Sequence, residues 1–83
     1  MHRIITVSKK FYRAYNLVHA YSWDGTAREA RERWGNDAYI LRVLYCGGRY
    51  YSLYLVDEYT YEMAEEIDNF KKAVRSNNRQ ARR

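Results

Sequence analysis

Two runs of strand-forming residues on either side of a Gly-Gly pair constrain the fold of this chain more than any other feature. Tyr39–Tyr45 and Tyr50–Val56 are rich in Tyr, Val and Leu, and Gly47 and Gly48 lie between them. Glycine readily adopts the positive φ that tight hairpin turns require, so the pattern predicts two antiparallel strands joined by a short turn. Alternation along each strand then assigns every side chain to one of the two sheet faces.

With Gly47-Gly48 as a two-residue turn, Tyr45 opposes Tyr50, and four tyrosines share one face of the hairpin. We call this face the tyrosine face; it comprises Tyr39, Leu41, Val43, Tyr45, Tyr50, Ser52, Tyr54 and Val56. The opposite face is more aliphatic, with Ile40, Leu44, Leu53 and Leu55 beside Arg42 and Tyr51. We therefore expect helices to cover the aliphatic face and the tyrosine face to be exposed, although a one-residue slip would exchange the two faces.

Two helices are predicted, one before the hairpin and one after it. Thr26 and Glu29 form a capping-box pattern ahead of a helix over Ala27–Trp34, and Gly35 is a typical C-terminal stop. The second helix is predicted over residues 60–76 with Thr60 as its N-cap.

The second helix has an apolar stripe at helical spacing, which we expect to dock on the sheet. The stripe consists of Met63, Ile67, Phe70 and Val74. If Phe70 is a core residue, Phe70→Ala should cost about 3–5 kcal/mol.

The residues before the first helix are predicted to be extended, with strands over residues 4–7 and 11–21 and a turn over residues 8–10. The predicted order is β-β-α-β-β-α. The fold class is α+β, a two-layer domain with a mostly antiparallel four-stranded sheet and two helices on one face. Residues 1–77 are expected to form this single domain, followed by a flexible basic tail over residues 78–83.

Charge is segregated at the end of the chain, although the net charge of the 83 residues is only +5. Residues 57–70 contain six carboxylates and no Lys or Arg, whereas the six cations Lys71, Lys72, Arg75, Arg79, Arg82 and Arg83 follow. Acidic residues near the start and basic residues near the end of a helix suit its dipole, which explains the pattern as far as Arg75. The six cations are also the candidate contacts to nucleic acid or to an acidic partner.

Several classes of protein are not expected from this composition. No apolar run approaches the 18 residues of a membrane span, and the apolar run near the N-terminus is too short for a secretion signal. A single cysteine, Cys46, fits a reducing cytoplasm. No phosphate-binding glycine loop, metal motif or activated nucleophile is present, so we predict no enzyme activity, no cofactor and no metal.

Two functions from different classes remain. The first is a protein-binding module that docks on a larger protein or nucleoprotein through Tyr39, Tyr45, Tyr50, Tyr54 and Arg49, because tyrosine suits interfaces. Small phage-encoded inhibitors, including anti-CRISPR proteins, offer an analogy of size and architecture, and a homodimer through the same face is an alternative. The second is RNA or DNA binding by the basic tail and by stacking of tyrosine rings on bases. A sequence pI near 9.5 favours this function.

Overall fold

The computed structural model describes the backbone of residues 1–81 and the side chains of residues 1–74. The chain forms four strands and three α-helices in the order β-α-β-α-β-β-α, with 3₁₀ turns at Leu17–His19 and Cys46–Gly48. The elements are β1 (Ile5–Val7), α1 (Lys9–Ala14), β2 (Tyr21–Trp23), α2 (Ala27–Trp34), β3 (Tyr39–Tyr45), β4 (Tyr50–Val56) and α3 (Glu58–Ala81). The α+β class is confirmed, but the prediction of only two helices is wrong.

The four strands form a mixed sheet in the order β1-β3-β4-β2. β4 pairs antiparallel with both β3 and β2, whereas β1 pairs parallel with β3. The prediction of a mostly antiparallel sheet is therefore wrong. A parallel pair requires a long connection between its strands, and here α1, β2 and α2 lie between β1 and β3.

The predicted hairpin is confirmed in both its strands and its register. Tyr45 pairs with Tyr50, Leu41 with Tyr54 and Tyr39 with Val56. The connection contains three consecutive residues with positive φ, namely Cys46 at 53°, Gly47 at 67° and Gly48 at 92°. The two glycines adopt this left-handed conformation without steric cost, which is why the turn forms at this point of the sequence.

The long strand predicted over residues 11–21 is wrong, because this segment begins as a helix. The hydroxyl of Ser8 accepts a hydrogen bond from the backbone N–H of Phe11 (3.1 Å) and caps α1. Phe11 lies in α1 and Tyr15 is the C-cap residue one turn later. Their rings stack with 4.3 Å between the ring centres. The aromatic residues that suggested a strand therefore belong to a helix, because packing against the sheet outweighs their intrinsic preference for strands. Only Tyr21–Trp23 is extended.

The helices cover both faces of the sheet, so the two-layer prediction with all helices on one face is wrong. On one face, α1 and α3 enclose the larger core, which comprises Ile5, Phe11, Leu17, Leu41, Val43, Tyr54, Tyr61 and Ala64. On the opposite face, α2 buries Ala30 against Ile40 and Leu53. Both faces of the hairpin carry large apolar side chains, and each needs a helix to exclude water.

The short helix α2 forms as its capping pattern predicts. The Thr26 side chain and the Glu29 backbone N–H are 3.2 Å apart, and the Glu29 carboxylate accepts from the Thr26 N–H in return. The N–H and the hydroxyl of Thr26 both donate to the Glu29 carboxylate, and these two hydrogen bonds lower the pKa of Glu29 because they favour its ionised form. Gly35, with φ at 99°, follows the helix as its C-cap.

Helix α3 begins two residues earlier than predicted, and it docks through a different stripe. The carboxylate of Asp57 caps it by accepting from the Thr60 N–H (2.9 Å), so Thr60 is not the N-cap. Tyr61 and Ala64 are the buried residues of this helix, whereas the predicted core residue Phe70 is 69% exposed. The docking prediction is wrong for Ile67, Phe70 and Val74, which are exposed, because the sheet packs against the side of the helix that bears Tyr61 and Ala64; Met63 is partly buried beside that core.

Candidate functional site

The tyrosine face is part of the main core, so its predicted exposure is wrong. Leu41 and Val43 are fully buried, and Tyr54 is only 6% exposed. The hydroxyl oxygens of Tyr54 and Tyr45 lie 2.5 Å apart in a hydrogen bond that satisfies both groups. Burial, followed by this hydrogen bond, raises the pKa of Tyr54 far above its usual range.

Tyr39 and Tyr45 are half-buried, and both rings have partners within the chain. The Tyr39 ring stacks on His2 at 4.5 Å and meets Tyr61 at 5.2 Å. Burial and the nearby carboxylates, Glu58 first, raise the pKa of Tyr39. The Lys9 ammonium lies 5.9 Å from the centre of the Tyr45 ring.

Of the five residues predicted to contact a partner, Tyr50 and Arg49 are the exposed ones. Both lie at the tip of the hairpin beside the exposed thiol of Cys46. The fold does not bring this tip together with the half-buried Tyr39, which pairs with Val56 at the far end of the hairpin. Partner contact by any of the five residues stays a prediction.

The basic residues predicted to contact an acidic partner lie on or after α3. Lys71 and Lys72 are exposed, and the Lys72 ammonium is 3.2 Å from the carboxylate of Asp68. Arg75 and Arg79 belong to α3, but their side chains lie outside the described part of the chain. Arg82 and Arg83 lie outside the described residues altogether, and the flexibility of residues 78–83 stays a prediction.

A groove between α1 and α3 is the concave feature that sequence reasoning missed. It has a volume of about 310 Å³, and its apolar walls are formed by Val7, Phe11, Ala14, Tyr15, Ala64 and Ile67. The sequence predicts a strand over residues 11–21 in place of α1. Without α1 there is no pair of helices, and so the groove between them is not predicted. Ser8 followed by aromatic residues at positions 11 and 15 was the signal for that helix.

The rim of the groove is positively charged. Lys10 lies on one side and Lys71 on the other, while Asp68 is the carboxylate among the lining residues. Arg3 donates a 3.0 Å hydrogen bond to Asp68, and Lys72 forms an ion pair with the same oxygen. Burial of Asp68 opposes its ionisation, but these two cations hold its pKa below the usual range. Because Arg3 and Lys72 compensate the negative charge of Asp68, Lys10 and Lys71 determine the net charge at the rim.

A second surface, on the α2 side of the sheet, combines arginine with aromatic rings. The Arg42 guanidinium lies 5.1 Å from the centre of the Tyr51 ring, and that of Arg33 lies 4.5 Å from the Trp23 ring. Buried Nε atoms of Arg42 and Trp23 have no hydrogen-bond partner among the described residues. Both pairs have cation–π geometry, and α2 leaves the side chains around them partly accessible.

The described part of the chain contains no group of three or more His, Cys, Asp or Glu side chains arranged to hold a metal ion. Over the same residues, no helix is long and apolar enough to cross a membrane. Comparison with protein-family models, with curated proteins and with solved structures gives no match for this chain.

Proposed function

We propose that this protein is a non-enzymatic binding module that holds an apolar, carboxylate-bearing segment of a larger protein in the groove between α1 and α3. The observation that carries this proposal is a groove of about 310 Å³ with apolar walls and a lysine on each side. Ligand sites are commonly concave and apolar with a few polar groups at the edge, and this groove has that composition.

The walls and the rim of the groove would contact different parts of the partner. An aliphatic or aromatic side chain would fill the space between Phe11, Ala14 and Ile67. Lys10 and Lys71 would meet Asp or Glu residues that flank this side chain in the partner. Such rim charges mainly steer association and select partners, while the desolvated apolar anchor supplies most of the affinity.

The first test uses a displayed library of random peptides selected on the wild-type protein. We expect the selected sequences to share an apolar residue with neighbouring Asp or Glu. Ala14→Leu should weaken their binding at least tenfold, because the larger side chain occupies the groove. Ala14 is already solvent-exposed at the end of α1, so the fold should tolerate leucine there.

Two matched controls separate the groove from general effects of size and charge. Ala73→Leu adds the same bulk to an exposed position of α3 that does not line the groove, and it should leave affinity unchanged. Lys10→Glu should weaken binding severalfold, whereas Arg13→Glu, on the same helix but outside the groove, should not. Equal effects of both members of either pair would refute the groove as the binding site.

A second candidate function, binding of single-stranded nucleic acid, is favoured by the two arginine–aromatic pairs on the α2 side of the sheet. Arg42 with Tyr51 and Arg33 with Trp23 combine positive charge and flat rings, which suits phosphates and stacked bases. Binding of labelled single-stranded oligonucleotides should then weaken steeply with salt, by about 0.7 in log K per log salt for each phosphate contact. Peptide binding in the groove should respond far less to salt.

The two candidates are separated by one variant on each surface. Arg42→Gln should reduce oligonucleotide affinity and leave the selected peptides bound, while Ala14→Leu should do the reverse. No detectable oligonucleotide binding by wild type at low salt would eliminate the second candidate.

A further inference from the structure

Helix α3 carries an apolar stripe that the rest of the described chain covers only in part, since Met63 packs against the main core and Ile67 lines the groove. Phe70 is 69% exposed, and Ile67 and Val74 are each 38% exposed. Among the side chains of this helix that the structure describes, Ala64 is the last fully buried one, while the helix itself continues to Ala81. We call Met63, Ile67, Phe70 and Val74 the outer stripe.

The spacing of the outer stripe is that of a coiled-coil seam. Its members are separated by four, three and four residues, which is the heptad alternation of two helices that pack along their length. A single helical partner with the same spacing would therefore fit this stripe.

The charge distribution of α3 makes a second copy of the same helix such a partner. Residues 57–70 carry six carboxylates and no Lys or Arg, and residues 71–81 contain Lys71, Lys72, Arg75 and Arg79 with no carboxylate. In an antiparallel pair the acidic half of each helix lies beside the basic half of the other. A parallel pair would instead place like charges side by side, which is unfavourable.

The position of the domain on α3 favours the same orientation. The sheet packs against the first half of the helix through Tyr61 and Ala64. Two antiparallel copies place their domains toward opposite ends of the shared seam. The helix dipoles also oppose one another in this arrangement, which is favourable.

We propose that two copies of this chain associate through the outer stripes of their α3 helices, in antiparallel orientation, with Phe70 of each copy packed near Ile67 of the other. This inference goes beyond the groove, because the contact is centred on Phe70, which does not line the groove, although Ile67 borders both surfaces. Residues 63–74 span about 17 Å at about 1.5 Å per residue, which is short for a two-helix seam. We therefore expect a reversible dimer with a dissociation constant in the micromolar range.

Analytical ultracentrifugation of the full chain over a concentration range from low to high micromolar tests this proposal. The monomer mass is 10.1 kDa, so the weight-average mass of wild type should rise toward twice that value. Phe70→Ser should keep the chain monomeric, with at least a tenfold weaker association and an unchanged far-UV circular dichroism spectrum. Tyr50→Ser is the matched control, because Tyr50 is an aromatic residue with 66% exposure at the hairpin tip. It should associate as wild type does.

The orientation has its own test in a Cys46→Ser background. A parallel pair would place the two Val74 positions side by side, and Val74→Cys would then form an intermolecular disulfide readily. In the antiparallel pair these positions are offset along the seam, so we expect little crosslinking at concentrations where the mass shows a dimer. A wild-type mass that stays at 10.1 kDa throughout, equal association of Phe70→Ser, or rapid crosslinking would each overturn the proposal as stated.

Discussion

The tyrosines of this protein differ in role because their environments differ, and composition alone does not distinguish them. Tyr54 and Tyr50 lie on the same strand and the same face, yet their exposed fractions are 6% and 66%. Tyr54 packs under α1, where its ring meets the edge of Tyr12 at 5.5 Å. Tyr50 lies at the end of the ladder, beyond the reach of the helices.

This pair makes a direct test of the core at the scale of single residues. Tyr54→Ala should destabilise the fold by about 3–5 kcal/mol, because it empties a packed site and leaves the Tyr45 hydroxyl without its partner. Tyr50→Ala should change the free energy of unfolding by no more than about 0.5 kcal/mol. Urea denaturation followed by circular dichroism measures both. Equal costs would show that the tyrosine face is not enclosed.

At the scale of elements, the ends of the helices were more predictable than the face on which each helix packs. Capping depends on side chains within a few residues, and the Thr26–Glu29 box formed as expected. At α3 the cap shifted to Asp57, whose carboxylate accepts from the Thr60 N–H. The hydrogen bonds of Thr60, its side chain first, lower the pKa of Asp57.

Asp57→Ala should destabilise α3 by about 1 kcal/mol, because it removes the acceptor for an otherwise unpaired backbone N–H. Glu58→Gln is the control, since it removes a charge from the first turn without touching the cap. It should cost only a few tenths of a kcal/mol. Thermal unfolding monitored at 222 nm compares the two variants. A larger loss in Glu58→Gln would mean that charge, not the cap hydrogen bond, stabilises the start of the helix.

At the scale of the whole molecule, the N-terminal segment fastens α3 to the edge of the sheet. The Tyr61 hydroxyl donates to the backbone carbonyl of Arg3 (2.7 Å), and the Arg3 guanidinium reaches Asp68 about two turns further along α3. The same segment accepts a 3.0 Å hydrogen bond from Arg31 of α2 at the carbonyl of His2. Helices on opposite faces of the sheet are thus both tied to the residues that precede β1.

The Asp68 contacts give the fold a pH dependence of known sign. The pKa of Asp68 is lower in the folded chain than in the unfolded chain, so its stabilising effect is present above the unfolded value and is lost as pH falls through the folded value. Asp68→Asn should cost up to about 1 kcal/mol at pH 7, since the ion pairs are partly solvent-exposed. The difference from wild type should shrink below about pH 4.

Thermal melts of wild type and Asp68→Asn at pH 7, 5 and 3 measure this effect. Asp37→Asn is a suitable reference, because Asp37 is far more exposed and lies 3.7 Å from the N-terminal amine. A constant difference between wild type and Asp68→Asn at all three pH values would contradict the assigned role of the Asp68 charge.

Local sequence patterns predicted the hairpin, its register, helix α2 and the approximate position of α3. These features depend on contacts within the hairpin or within one helix, where Gly47-Gly48, Thr26 and Glu29 act on near neighbours. These patterns did not reveal α1, because the aromatic residues around Phe11 suit both a strand and a helix, and only the packing of Phe11 against the sheet decides between them.

Which surfaces are buried depends on how the helices and strands pack together. Both faces of the hairpin and two stripes of α3 are apolar enough to enter a core, so periodicity identified the alternatives without ranking them. In the folded chain β1 pairs parallel with β3, α1 and α3 pack on the tyrosine face, and α2 packs on the opposite face. The groove and the exposed outer stripe follow from that choice, because burial is a property of what lies opposite a residue and not of the residue alone.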